Sequence, residues 1–126
     1  MKESDDQNNK NYQNLEILED ETMNMLKEYA KGNPELVQDI VDSFAPEAKV
    51  LITSIEKAVS EENPDELQTS AHSLAGISGS IGANRLYQVA RDVDNAIKTG
   101  QNQLAFNTAK HIKKHYEELV QLLDEF

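Results

Sequence analysis

The chain has 126 residues, 38% of them hydrophobic, which is enough for one modest core and not for two. It has no Cys and no Trp, so disulfides and thiolate metal sites are excluded and the core must be largely aliphatic. A formal net charge of −11 argues against nucleic acid and for solubility or a basic or mixed-charge protein partner.

The first residues, MKESDDQNNKNYQN, lack the apolar stretch of a signal peptide, and no later run approaches the ~20 apolar residues of a membrane span. Cytoplasmic residence is therefore expected. Residues 1–14 read as a disordered leader or linker, and residues 15–126 as one helical domain.

A short first helix is expected from about Asp20 to Ala30, with Met23, Leu26 and Tyr29 inward and Gly32 as a left-handed cap. Asn33-Pro34 opens the second, as N-cap and first helical residue. Its apolar stripe runs from Leu36 through Phe44 and Ile52 to Val59 at spacings of three and four. Pro46 inside it should bend the helix. Asn63-Pro64 repeats the start signal for a third helix ending near Ser80.

A fourth helix is predicted from Asn84 to Thr99, with Leu86, Val89, Ala90, Val93 and Ile97 inward and Gly100 closing it. A last helix is predicted as one piece from Asn102 to Asp124, with Ala105, Ala109, Ile112, Tyr116, Leu119 and Leu123 inward. Short connections make neighbours antiparallel. The fold class is all-α: an antiparallel up-and-down four-helix bundle with a short extra N-terminal helix.

The third helix breaks local rules. Gly76, Gly79 and Gly82 are three of the chain's five glycines, and a glycine inside a helix costs about 1 kcal/mol relative to Ala. On a helical wheel Leu67, Ser70, Leu74, Ile77 and Ile81 share the core face, and His72 stands nearly opposite. Gly76 and Gly79 lie within about 40° of His72, and Ala75 within about 60°. A lone imidazole in water, on a helix face stripped of side chains, suits close approach by a partner's backbone. Gln68, Thr69, Ala75, Gly76, Gly79 and Ser80 are the candidate docking positions.

His111 and His115 form an i, i+4 pair that could share a metal, but Lys110, Lys113 and Lys114 would repel a cation. The run is read as a solvated face, and no metal site is expected.

The segment His72-Ser73-Leu74-Ala75-Gly76, followed by Ile77-Ser78-Gly79-Ser80 and Ile81-Gly82-Ala83, resembles the motif of the histidine phosphotransfer (HPt) family. The order of elements over residues 15–126 is similar too. The resemblance implies that His72 accepts the phosphoryl group, that Gly76 permits docking and that Leu74 is a buried anchor. It implies a phosphotransfer intermediate rather than an independent enzyme, serving response-regulator receiver domains and a hybrid sensor histidine kinase. No cofactor would be bound by this chain, and Mg²⁺ would come with the receiver. A monomer is expected.

Ala75 departs from the family, which usually carries Lys there. Lys49 and Arg91, near the height of His72 in an antiparallel bundle, are candidate replacements for that charge. Imidazole titrates close to neutral pH, so a neutral nucleophile needs no general base. Ala75 keeps an alternative open: an HPt-like module that docks receivers or a kinase without carrying phosphate.

Overall fold

The computed structural model describes residues 12–126. Residues 1–11 of the predicted leader lie outside the described residues; Tyr12–Asn14 form a 3₁₀ turn whose Tyr12 is buried against the bundle. Among the described residues there are helices and no strand. They are α1 (Asp20–Gly32), α2 (Glu35–Ser60), α3 (Pro64–Ser80), α4 (Asn84–Lys98), α5 (Asn102–Ala109) and α6 (Ile112–Asp124).

Packing runs α2 on α3, α3 on α4, α4 on α5 and α6, and these back onto α2, which closes a four-helix bundle. The short α1 leans on α2. Leu26, Phe44, Ile55, Leu67, Leu74, Leu86, Val89, Ile112 and Leu119 lie in the continuous core, which joins every helix.

Helix ends follow local chemistry, with two departures. The Asn63 side chain accepts from the Glu66 amide at 3.2 Å, with Pro64 in the first turn, as expected. At the start of α2 the N-cap residue is Pro34 rather than Asn33, and no side chain caps the helix there. Gly32 is not a left-handed cap; it is the last residue of α1, and Asn33 follows with φ −154°. Gly82 and Gly100 do take the left-handed conformation, at φ 72° and 78°. After α3 the Ala83 amide reaches Ser78 O at 2.9 Å and the Gly82 amide reaches Gly79 O at 3.2 Å, a Schellman closure. Gly82 is thus a cap beyond the helix, and only Gly76 and Gly79 are glycines of α3 itself.

The predicted single last helix is broken at Lys110 and His111. There the His111 amide bonds three residues back, to Thr108 O at 3.1 Å, which tightens the turn. The offset keeps Ala109 and Ile112, on either side of the break, both buried.

His115 is a second correction. It is buried, not near solvent. Its Nδ1 donates to Glu118 Oε1 at 2.8 Å, and Tyr12 meets its ring edge-on at 5.6 Å between centroids. Arg85 bonds the same Glu118 oxygen at 3.1 Å and holds Leu15 O at 2.6 Å, tying the segment before α1 to α4 and α6. The hydrogen bonds from His115 and Arg85 outweigh burial and hold the Glu118 carboxyl below its usual value.

Burial, only partly offset by Glu118, holds the His115 imidazole below its ordinary value. As pH falls below about 6.5, the unfolded chain therefore takes up a proton that the folded chain refuses, and stability drops until the lowered folded value is passed. Urea melts at pH 7.5 and 5.5 should show a smaller acid loss for His115→Gln than for wild type. Equal losses would contradict the assignment.

Candidate functional site

The site is built where α3 and α4 run antiparallel around the Gly82-Ala83 turn. Residues equidistant from Ala83 face each other: Gly79 and Tyr87, Ala75 and Arg91, His72 and Asp94. Two of these rungs are in contact. A Cβ on Gly79 would come within 3.1 Å of the Tyr87 ring, and His72 Nδ1 lies 2.9 Å from Asp94 Oδ2.

His72 is therefore not a lone imidazole. Its side chain is 71% exposed, while that of Asp94 is only 7% exposed. Gln68 Nε2 donates to Asp94 Oδ1 at 3.2 Å, and Lys98 Nζ lies 3.4 Å from Asp94 Oδ2. Burial by itself would raise the Asp94 carboxyl. The hydrogen bonds from His72, Gln68 and Lys98 prevail and hold it below the usual range. An ionised carboxylate can only accept, so Nδ1 carries the proton. In the neutral ring Nε2 is then the free lone pair, at the end away from Asp94. The arrangement fixes both ring orientation and tautomer, as second-sphere carboxylates do for reactive histidines.

The predicted docking positions divide. Gln68 is half-buried and committed to Asp94, and Thr69 is exposed, its hydroxyl bonded back to Asp65 O at 3.1 Å. Gly76 is exposed, and a Cβ there would meet nothing within 4 Å. Gly79 is exposed but carries the Tyr87 ring on one side. Ser80 is exposed and ends the helix, its hydroxyl on Ile77 O. Ala75 is a correction: it is buried and presents almost no surface. Packing on both α2 and α4 turns more of α3 inward than one stripe allows. Ala71, Ala75 and Ser78 are buried with Leu74, while Ile77 and Ile81 are only partly covered.

Of the two candidate charge partners, Arg91 lines the same recess as His72, and Lys49 on α2 does not. His72 turns towards α4, so a cation on α2 is on the wrong side. Asp94, Lys98 and Tyr87 are the site residues that sequence patterning passed over. Counting equal distances from the Gly82-Ala83 turn finds Asp94 and Tyr87. Among the described residues no cluster of three or more His, Cys, Asp or Glu could hold a metal ion, and no helix is long and apolar enough to cross a membrane.

The fold is similar to the crystal structure of histidine-containing phosphotransfer protein B from Pseudomonas aeruginosa PAO1, with a TM-score of 0.72 and 19% identity, over 88% of this chain and 94% of that one. No curated protein matches the sequence. The family model of the Hpt domain matches residues 39–123, a span that contains His72, Asp94 and all of α3 and α4. The chain belongs to the Hpt domain family.

Proposed function

We propose that this protein is a phosphoryl shuttle of a cytoplasmic phosphorelay, carrying the group on Nε2 of His72 between receiver domains, with a hybrid sensor histidine kinase upstream. The observation that carries this reading is the exposed imidazole held through Nδ1 by the buried Asp94 carboxylate.

Transfer needs a positioned nucleophile and little else from this chain. The Nε2 lone pair attacks the phosphorus of a receiver's aspartyl phosphate in line. The N–P bond forms as the P–O bond breaks, and the receiver's carboxylate leaves with the electron pair. The ring becomes a phosphoimidazolium whose Nδ1 keeps its proton and donates it in a hydrogen bond to Asp94, whose negative charge offsets the positive charge of the ring. The reverse sequence returns the group to a second receiver. The divalent cation belongs to the receiver's side of the complex in this reading.

Gln68, Thr69, Gly76, Gly79 and Ser80 form the face that a receiver would meet. Next to Ser80 a groove of about 410 Å³ opens between α1, α2 and the end of α3. Ile40, Phe44 and Ile77 line it, with Asp39 and Glu47 as acidic members. It suits an apolar anchor flanked by basic residues.

Intact mass at neutral pH after mixing with a phosphorylated receiver tests the proposal. One phosphate on wild type, lost on acid treatment, is expected. If several active receivers bind but none transfers, the protein is a docking module without the chemistry.

A further inference from the structure

We propose that the recess beside His72 is a phosphoryl pocket whose positive charge comes from α4, from Arg91 and Lys98, in place of a cation at position 75. This rests on the reading of His72 as the phosphate carrier, and it assigns the groups that hold the phosphate once it is there.

The recess has a volume of about 290 Å³. His72 and Gly76 form its α3 side, and Tyr87, Arg91, Asp94 and Lys98 its α4 side. Arg91 occupies the rung opposite Ala75, so its guanidinium starts from the level at which a longer side chain on α3 would end. Tyr87 steadies it: Arg91 Nη1 donates to the phenol oxygen at 2.8 Å, and the guanidinium carbon lies 5.9 Å from the ring centre. Tyr87 can take that position because Gly79 has no side chain in its way.

Lys98 stands one turn beyond Asp94. Its ammonium shares Asp94 Oδ2 with His72, and its side chain is half exposed, at 52%. From that ion pair its half-exposed side chain can turn towards a new anion. A phosphoryl group brings between one and two negative charges near neutral pH, and three acceptor oxygens. On a surface of net charge −11 such a group meets general repulsion. Within the recess the two cations outnumber the single carboxylate. That carboxylate is engaged at Nδ1, on the side of the ring away from Nε2. Guanidinium and ammonium together give several donors for the phosphoryl oxygens. Ala75, small and buried, contributes no charge to the recess.

The test uses phosphoramidate, which can phosphorylate the imidazole without a receiver, and follows the decay of phosphohistidine by intact mass at pH 7.5. The Arg91→Gln/Lys98→Gln double variant should lose the group about 10-fold faster than wild type. Adding Ala75→Lys to that background should restore most of the lifetime, while Ala75→Lys alone should change it little. Unchanged decay in the double variant overturns the pocket and leaves His72 as carrier.

If wild type forms no phosphohistidine from either phosphoramidate or a receiver, the carrier reading fails. The pocket is then judged by titration with inorganic phosphate. Saturable amide shifts centred on Gly76, Gly79 and Arg91, absent from the double variant, would support it, and no saturable shift would overturn it.

Discussion

A chain carrying His72→Gln should accept no phosphoryl group, and one carrying Asp94→Asn should accept it about 10–100-fold more slowly than wild type. The first follows because no other imidazole can substitute: His115 is buried, and His111 lies at the break between α5 and α6. The second isolates charge from shape. The amide introduced by Asp94→Asn could still accept from Nδ1 through its oxygen, so the ring orientation survives. It cannot offset the positive charge that the ring acquires when the N–P bond forms. The amide can also turn its NH₂ towards the ring, which favours the tautomer with Nε2 protonated and blocked. Rates of transfer from a phosphorylated receiver under single-turnover conditions measure both. The deficit should lie in the transfer rate and not in receiver affinity, because Asp94 is buried beneath the proposed docking face. Wild-type rates for Asp94→Asn would remove the carboxylate from the mechanism.

Gly82→Ala should destabilise the fold by about 2–5 kcal/mol, lowering the melting temperature by roughly 10 °C. Two causes add. The position has φ 72°, where a Cβ costs about 1–2 kcal/mol. The new methyl would also overlap Thr22 Oγ1 on α1, forcing a shift of the kind that costs about 1–3 kcal/mol. The corner cannot yield freely, because the Glu19 amide bonds to Gly82 O at 2.9 Å and Ala83 is buried. Gly100 separates the two terms: its φ is 78°, but a Cβ there would meet nothing within 4 Å. Gly100→Ala should therefore show only the conformational part, and Thr22→Ala should rescue part of the Gly82→Ala loss. Thermal melts followed by far-UV circular dichroism compare the variants directly. Equal losses at Gly82 and Gly100 would mean that α1 moves aside without cost.

Much of the bundle is legible in the sequence because its signals are local. Asn63-Pro64 marks a helix start through one side-chain hydrogen bond and one missing amide donor, and both act within four residues. The spacing of Leu86, Val89, Ala90 and Val93 gives the buried face of α4, since burial on a helix repeats with the helix. The segment around His72 singles out a candidate residue for the same reason: a glycine-poor chain that places Gly76 and Gly79 beside one histidine points to a face with few side chains.

Features that depend on pairs of residues far apart in the chain are hidden from such patterns. Asp94 looks like one more surface carboxylate in an acidic protein until α3 and α4 are laid side by side, when it becomes the buried partner of His72. Lys49 and Arg91 look alike by height along the bundle. Only the turn of the imidazole towards α4 separates them. His115 reads as part of a basic solvated run, yet Tyr12 packs on it from one distant place in the chain, and Arg85, from another, holds its neighbour Glu118. Most of the helices, the inward face of α4 and the candidate phosphate acceptor follow from the order of residues alone, because propensity, capping and periodicity are short-range; the break at Lys110 and His111 and the wider buried face of α3 do not. Which carboxylate orients that acceptor, and which cations stand beside it, follows from the register and rotation of one helix against another, and those are set by the packing of the whole core.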